Sequence, residues 1–184
     1  MASRTPLYDR HVAHGARMVD FAGWDMPIQY STITEEHTTV RTGAGLFDIS
    51  HMGRLSLGGP DALELIQRVY TNNAATMKDF QARYGLVCNE NGGIRDDVLV
   101  YRWPYGWAMV VNASNRTKIV DWLHQHKGSL NVNIEDQTLS TCMVAVQGSK
   151  ALADFQRLGA LHGDHTGGQR LVLNLDVEGA LMLV

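Results

Sequence analysis

Apolar and polar residues alternate in several short runs along the chain, and this pattern predicts strands that each bury one face. Three consecutive runs lie between residues 83 and 112: YGLVC, IRDDVLVY and WAMVVN. Asn91-Gly92-Gly93 separates the first two runs and Pro104-Tyr105-Gly106 separates the last two; both are turn sequences. We therefore predict three strands joined by two tight turns.

Strand-like runs also occur on both sides of this region. We predict one alternating strand in GLFDISHMGRLSLGG and an irregular or extended segment in FAGWDMPIQY. Later strands are predicted at NVNIED, at TCMVAVQG, and in RLVLNLDVEGALMLV as a hairpin that turns at Glu178-Gly179.

Start and stop signals predict the helices. In the first half of the chain they are a short helix after Thr5-Pro6 that closes near Gly15, a helix from the capping box Thr32-x-x-Glu35 to Gly43, and a helix after Gly59-Pro60-Asp61 with apolar Leu63, Ile66 and Val69. In the second half they are a helix over residues 114–126 that Gly128 ends and a helix in SKALADFQRLGAL. Because hairpins outnumber crossover units, we predict an α+β fold of mainly antiparallel sheets with packed helices.

Composition narrows the classes of function. A chain of 184 residues with 45% apolar residues can form one large or two small domains. A net charge of -3, from 16 basic and 19 acidic residues, disfavours nucleic acid or an anionic membrane as the main partner. No apolar stretch reaches the length of a membrane span or a signal region, so we expect a cytoplasmic protein.

An adjacent carboxylate pair, Asp96-Asp97, follows the Asn91-Gly92-Gly93 turn. Strand alternation places Asp97 on the same face as Arg95, Leu99 and Tyr101, and Asp96 on the opposite face. We predict that Asp96 accepts hydrogen bonds from backbone N–H groups of the turn. The pattern alone favours an ion pair between Asp97 and Arg95 over a functional role, since strand carboxylates usually have ordinary partners.

Other candidate chemistry is weak. His11-x-x-His14 and His162-x-x-His165 lack further ligands at zinc-site spacing, so we predict surface or capping histidines and no metal site. Cys88 and Cys142 are expected to be reduced core residues. Nucleophile-elbow, dinucleotide and P-loop patterns are missing. Five aromatic residues either line a pocket for a flat heterocycle or pack the hairpin: Tyr84, Tyr101, Trp103, Tyr105 and Trp107.

Five separated segments together resemble the N-terminal part of aminomethyltransferase, the T-protein of the glycine cleavage system. They are TPLYDRHVAHGARMVDFAGWDMPIQY, EEHTTVRTGAGLFDISHMG, YGLVCNENGGIRDDVLVY, MVVNASNR and VAVQG. The segments occur in the family's order and cover residues 5 to about 151, which makes the resemblance specific although no single segment would.

The resemblance implies a reaction and a site. Family members transfer the one-carbon unit of the aminomethyl group on the lipoyl arm of H-protein to tetrahydrofolate, and ammonia is released. The second acid of the family's GG-x-x-DD motif is the functional carboxylate, which falls on Asp97 and is expected beside the reacting folate nitrogens. The other folate-side positions implied by the family are Tyr84, Leu99, Tyr101, Val110 and Asn112.

The family layout implies that residues 52–138 form a second α+β domain, inserted into an incomplete first domain of residues 1–51 and 139–184. The apolar run that ends at Val184 suggests truncation, and the family's tyrosine, glutamate and arginine of the opposite folate wall would lie beyond it. A non-catalytic folate-binding or scaffolding fragment is therefore the main alternative. A folate domain of a sarcosine or dimethylglycine oxidising enzyme is disfavoured because no flavin-binding domain precedes Thr5.

Overall fold

The computed structural model describes residues 2–151, 153, 172–174 and 180–183. The chain divides into two compact units: Met1–His51 with Ser140–Val184 form unit 1, and Met52–Leu139 form unit 2. The expectation that residues 52–138 behave as a domain, in the sense of a part that folds by itself, stays a prediction.

Strands and helices alternate irregularly along the described chain. The helices are α1 (Tyr8–Ala13), α2 (Ile33–Thr42), α3 (Ala62–Val69) and α4 (Arg116–Lys127), with short 3₁₀ helices at Ala74–Thr76 and Ala113–Asn115. The strands are β1 (Ser3–Arg4), β2 (Arg17–Phe21), β3 (Trp24–Gln29), β4 (Gly45–Asp48), β5 (Gly53–Gly58), β6 (Ala82–Cys88), β7 (Ile94–Trp103), β8 (Gly106–Val111), β9 (Asn133–Asp136), β10 (Cys142–Gln147), β11 (Val172–Asn174) and β12 (Ala180–Leu183).

Unit 2 contains a five-stranded sheet in the order β6-β7-β8-β5-β9, with every neighbouring pair antiparallel. The three predicted strands between residues 83 and 112 are confirmed as β6, β7 and β8. Helices α3 and α4 contribute their apolar residues to one core with the sheet. Its fully buried side chains include Leu55, Leu57, Leu65, Ile66, Val98, Val100, Met109, Ile119 and Leu123.

Unit 1 contains two smaller sheets, in the orders β1-β3-β2 and β11-β12-β10-β4. The pairs β1/β3 and β10/β12 are parallel, whereas β2/β3, β4/β10 and β11/β12 are antiparallel. The predicted α+β class with mainly antiparallel sheets is thus confirmed. The predicted turn at Glu178-Gly179, most of the predicted helix in SKALADFQRLGAL, and His162 and His165 lie outside the described residues.

The capping box predicted at Thr32 is half present. The Thr32 side chain accepts a hydrogen bond from the backbone N–H of Glu35, 3.2 Å away, so Thr32 is the N-cap of α2. The carboxylate that receives backbone donors before the helix belongs to Glu36, whose Oε1 accepts from the N–H groups of Tyr30 and Ser31. The Glu35 carboxylate accepts from the Thr32 hydroxyl at 2.9 Å, so Thr32, Glu35 and Glu36 together hold the chain where it enters α2.

The prediction of one strand in GLFDISHMGRLSLGG is wrong. The segment forms two strands: β4 pairs with β10 in unit 1, and β5 pairs with β8 and β9 in unit 2. The reason is local, because Asp48 Oδ1 accepts a hydrogen bond from the backbone N–H of Ser50 at 2.9 Å. An aspartate that bonds the backbone two residues ahead forms a turn and interrupts a strand.

Asp48 is also the centre of a buried cluster in unit 1. Its Oδ2 accepts from the Thr5 hydroxyl at 2.6 Å and from His11 Nε2 at 2.8 Å, and the Tyr30 hydroxyl lies 2.6 Å from His11 Nδ1. His11 is 7% exposed, so the prediction of a surface or capping histidine is wrong for this residue. Burial raises the pKa of Asp48, but hydrogen bonds from His11, Ser50 and Thr5 outweigh burial and hold it below the usual value.

We expect the Asp48 cluster to make unit 1 sensitive to acid. Because the pKa of Asp48 is lowered in the folded state, its contribution to stability is present above the unfolded-state pKa and is lost as pH falls through the folded value. The Asp48→Asn variant should lose about 1–3 kcal/mol of unfolding free energy at neutral pH, since Asn places an amide against donors. Urea unfolding from neutral to acidic pH should give a shallower pH dependence for this variant than for the parent.

The matched control for this prediction is Asp20→Asn, which removes an exposed carboxylate of unit 1. It should keep both the stability at neutral pH and the acid sensitivity of the parent. An Asp48→Asn protein with the parent's acid sensitivity would show that Asp48 is not responsible for it.

Candidate functional site

One face of the unit 2 sheet carries the residues that the resemblance implies. Tyr84 in β6 pairs with Leu99 in β7, and Leu99 pairs with Val110 in β8, so these three side chains form a row across the sheet. Asp97 and Tyr101 flank Leu99 at alternate positions of β7 and therefore share its face. This row extends from an exposed edge at Tyr84, 52% exposed, to a buried interior at Val110, 5% exposed.

Asn112 joins the site from the residue after β8. Its side-chain amide donates to Asp97 Oδ1 at 2.7 Å, and the Tyr84 hydroxyl donates to Asp97 Oδ2. The hydrogen bond from Tyr84, together with the one from Asn112, lowers the pKa of Asp97 below its usual value despite slight desolvation. The structure thus brings all six predicted residues together on one sheet face, with an ionised carboxylate at its exposed edge.

The predicted ion pair between Asp97 and Arg95 is wrong, because the two residues do not share a face. Cys88 pairs with Ile94 and Val87 pairs with Asp96, so Arg95 is an extra residue of β7 in a β-bulge. The Arg95 guanidinium lies 4.0 Å from the centroid of the Trp122 ring on α4. The bulge leaves the two oxygens of Asp97 to the neutral donors of Tyr84 and Asn112.

Asp96 is the buried member of the acidic pair, with 2% exposure. The prediction that backbone donors of the turn explain it is wrong. Its oxygens accept from the Asn112 backbone N–H, the Asn112 side-chain amide and the Asn115 side-chain amide. Sequence reasoning missed Asn115 because it lies in the 3₁₀ helix after β8, distant from Asp96 along the chain.

The turn before the acids is organised by Asn89. Its Oδ1 accepts from the backbone N–H of Asn91 at 3.0 Å and of Gly93 at 2.8 Å. Gly92 has φ of 80°, which favours glycine, and a Cβ at Gly93 would lie 2.9 Å from Asn89 Nδ2. The turn that sets where β7 begins therefore favours glycine at both positions.

The aromatic residues divide between the two faces of the sheet. The Tyr101 and Trp103 rings are stacked with centroids 6.5 Å apart, and the Trp103 and Tyr105 rings with centroids 6.1 Å apart. Trp107 belongs to the helix-covered core, with Arg102 over its ring. The described geometry therefore supports side-chain packing for Trp107, while Tyr84 and Tyr101 lie on the same face as Asp97.

Arg54 is a neighbour that the sequence analysis did not single out. It pairs with Val110 across β5 and β8, which continues the row of Tyr84, Leu99 and Val110. Its guanidinium donates to the backbone carbonyls of Met52, at 2.7 Å, and Thr138. The sequence signal for Arg54 was an arginine within an alternating strand. Only the pairing of β5 with β8 identifies the sheet face on which it lies.

Unit 1 contains a groove of about 530 Å³ that includes none of the six predicted residues. Its lining is mostly apolar, and Glu36, His37 and Asp48 are its ionisable members besides Tyr30. The resemblance assigns no role to these residues.

The described residues show neither a metal-binding cluster nor a membrane-spanning helix. These residues contain no group of three or more His, Cys, Asp or Glu that could hold a metal ion. Within the same part of the chain, no helix is long and apolar enough to cross a membrane. Cys88 and Cys142 are free thiols. Both are half-buried, whereas the sequence predicted core residues.

A protein-family model and a solved structure both match this chain. Residues 7–165 match the family model described as the GCVT N-terminal domain. The crystal structure of glycine cleavage system aminomethyltransferase T from Bartonella henselae has a TM-score of 0.87 and 31% sequence identity, covering 96% of this chain and 49% of that one. The fold is therefore the α+β fold of the N-terminal part of an aminomethyltransferase.

Sequence relatives agree. The aminomethyltransferase of Rubrobacter xylanophilus is 49% identical over 182 residues, which are 98% of this chain and 48% of the relative. The aminomethyltransferase of Thermotoga sp. strain RQ2 is 45% identical over 156 residues, 84% of this chain and 43% of the relative. The chain belongs to the family of the glycine cleavage aminomethyltransferase, the T-protein, and spans about half the length of these relatives.

Proposed function

We propose that this chain acts in tetrahydrofolate-dependent aminomethyl transfer. In this proposal the donor is the aminomethyl group on the lipoyl arm of H-protein, and the acceptor is tetrahydrofolate. The observation that carries the proposal is the sheet face on which Asp97 meets Tyr84 and Asn112, in a chain of this family. The cytoplasmic location and the absence of nucleic-acid binding stay predictions.

The reaction balances without a further reactant. The methylene carbon leaves the lipoyl sulfur and the amine nitrogen, and forms one bond to each of two folate nitrogens. The two protons that those nitrogens lose end on the released ammonia and on the lipoyl thiol. Positive charge develops on the one-carbon unit while it moves, so a fixed carboxylate beside it would stabilise the transition state.

Asp97 suits an electrostatic role better than a basic one. A lowered pKa keeps its carboxylate ionised at neutral pH and makes it a weak proton acceptor there. Tyr84 and Asn112 each hold one of its oxygens, so the carboxylate has little freedom to rotate away from a ligand. Leu99 and Tyr101 would supply apolar and aromatic surface for the flat ring system, and Val110 would extend the apolar row.

The main alternative is a non-catalytic folate-binding or scaffolding fragment. It is favoured by one observation, since the chain covers only 48% of the Rubrobacter relative and 49% of the Bartonella structure. In this reading the face with Asp97 would still bind reduced folate, but transfer would need groups from the remainder of such a protein.

Two measurements on the chain test the proposal and separate it from the alternative. Calorimetric titration with 5-formyltetrahydrofolate, a stable reduced folate, should show binding if the face with Asp97 is a folate site. Ammonia release from aminomethylated H-protein in the presence of tetrahydrofolate should then occur for a catalyst and not for a binding fragment. A chain with native-like circular dichroism that binds no folate would exclude catalysis and folate binding, and would leave only the scaffolding fragment.

A further inference from the structure

The acidic pair is joined through a single asparagine. Asp96 Oδ2 accepts from the Asn112 backbone N–H at 2.9 Å, and its Oδ1 accepts from the Asn112 side chain at 2.9 Å and from Asn115 at 2.5 Å. A buried ionised carboxylate is costly unless donors surround it, and these three donors meet that need. Asp96 therefore holds Asn112 by its main chain and its side chain together.

The side-chain amide of Asn112 lies between the two carboxylates. Its Nδ2 has two hydrogens and lies 2.9 Å from Asp96 Oδ1 and 2.7 Å from Asp97 Oδ1. The reversed amide would direct its oxygen at both negative charges, so this orientation is set by electrostatics. The amide can thus transmit the position of the buried acid to the exposed one.

We propose that Asp96 is a positioning residue for Asp97, acting through Asn112 from the helix-covered face of β7. Asp96 fixes the Asn112 amide, and that amide fixes Oδ1 of Asp97, while Tyr84 fixes the other oxygen. The importance of this arrangement for one-carbon transfer rests on the proposed function, whereas the positioning itself does not. In this arrangement the two adjacent acids have different tasks: Asp96 holds the Asn112 amide, and Asp97 faces the ligand.

The Asp96→Asn variant tests the proposal through the pKa of Asp97. An asparagine keeps the shape but places its own NH₂ against at least one of the three donors, so Asn112 is released. Loss of the Asn112 hydrogen bond raises the pKa of Asp97, whereas loss of a neighbouring negative charge lowers it. We expect a rise, measured as a shift of the Asp97 side-chain carboxyl ¹³C titration to higher pH.

The same substitution in an Asn112→Ala background gives a sharper comparison. With the bridge already removed, replacing Asp96 by Asn takes away only a like charge, so the Asp97 titration should stay or move to lower pH. A reversal of sign between the two backgrounds supports positioning. A fall, or no change, in the parent background overturns it, since Asp96 would then act as a nearby charge at most.

Asp96→Glu is the companion variant because it keeps the charge and displaces the carboxylate by one methylene. Positioning predicts a rise in the pKa of Asp97, and a purely electrostatic effect predicts none. Asp121→Asn, which removes an exposed carboxylate of α4, is the control and should leave Asp97 unchanged. Should neither Asp96 variant fold, hydrogen exchange in the parent decides, because a bridging amide has both Asn112 side-chain hydrogens bound to carboxylates and both should exchange slowly with solvent. Fast exchange of these hydrogens would overturn the proposal.

Titration of the folate ligand separates this inference from the proposed function. An Asp96→Asn protein with a raised Asp97 pKa, in a chain that never binds 5-formyltetrahydrofolate, would retain the positioning and reject the folate site. A parent that binds folate through Asp97, with no response of Asp97 to either Asp96 variant, would retain the folate site and reject the positioning.

Discussion

Replacing Asp97 by asparagine is expected to weaken the binding of 5-formyltetrahydrofolate by about tenfold to a hundredfold. A hydrogen bond to a charged group contributes about 1.5–3 kcal/mol, and about 1.4 kcal/mol corresponds to a factor of ten in affinity. Asparagine keeps the shape of the side chain, and the hydroxyl of Tyr84 can still donate to its oxygen, so the negative charge is the main loss. Calorimetric titration of parent and variant side by side measures this effect.

In an active chain the same substitution should slow transfer more than it weakens binding. The charge that Asp97 would stabilise develops only in the transition state, and removing such an interaction costs about 10²- to 10³-fold in rate in comparable sites. Ammonia release under saturating folate measures this rate. Asp121→Asn removes the same charge from an exposed site on α4 and should change neither quantity. Equal folate affinity for parent and Asp97→Asn would contradict the assigned role.

Leu65→Ala is expected to lower the unfolding free energy of unit 2 by about 2–5 kcal/mol. Leu65 is 0% exposed and lies in the core that α3 and α4 form with the sheet. Removing its isopropyl group leaves a cavity that close-packed neighbours fill only partly. Urea unfolding followed by tryptophan fluorescence reports mainly on this unit, since Trp103, Trp107 and Trp122 belong to it.

Leu63→Ala is the matched control because it makes the same chemical change two residues earlier. Leu63 is only partly buried against the same core, so we expect it to cost less than half as much as Leu65. Similar losses for the two variants would contradict the placement of α3. A loss confined to Leu65→Ala would also show that unit 2 responds to its own core.

Much of the sheet face with Asp97 could be predicted from sequence because its determinants are local. The Asn91-Gly92-Gly93 turn fixes where β7 begins, and alternation then places Asp97, Leu99 and Tyr101 on one face. The identity of the ligand-facing acid required the family resemblance, since alternation treats Asp96 and Asp97 alike. The match of residues 7–165 to the family model confirms that resemblance.

The misassigned residues have a common cause. Arg95 leaves the face of Asp97 because of a bulge against β6, and a bulge depends on the register of two strands. Asp48 ends a strand early because its side chain bonds the backbone and His11. In each case an interaction that the alternation of apolar and polar residues does not report, strand register for Arg95 and side-chain hydrogen bonds for Asp48, interrupted the regular pattern.

By itself, the sequence determined the strands around the turn, the four helices α1 to α4 bounded by glycine or proline signals, and the family. These features depend on side-chain periodicity and on backbone preferences that act within a few residues. Only the tertiary structure decided that Asp96 is buried beneath Asn112 and Asn115, and that Asp97 meets Tyr84 and Asn112. Those contacts join residues that only strand pairing brings within hydrogen-bond distance, so short-range sequence patterns do not predict them.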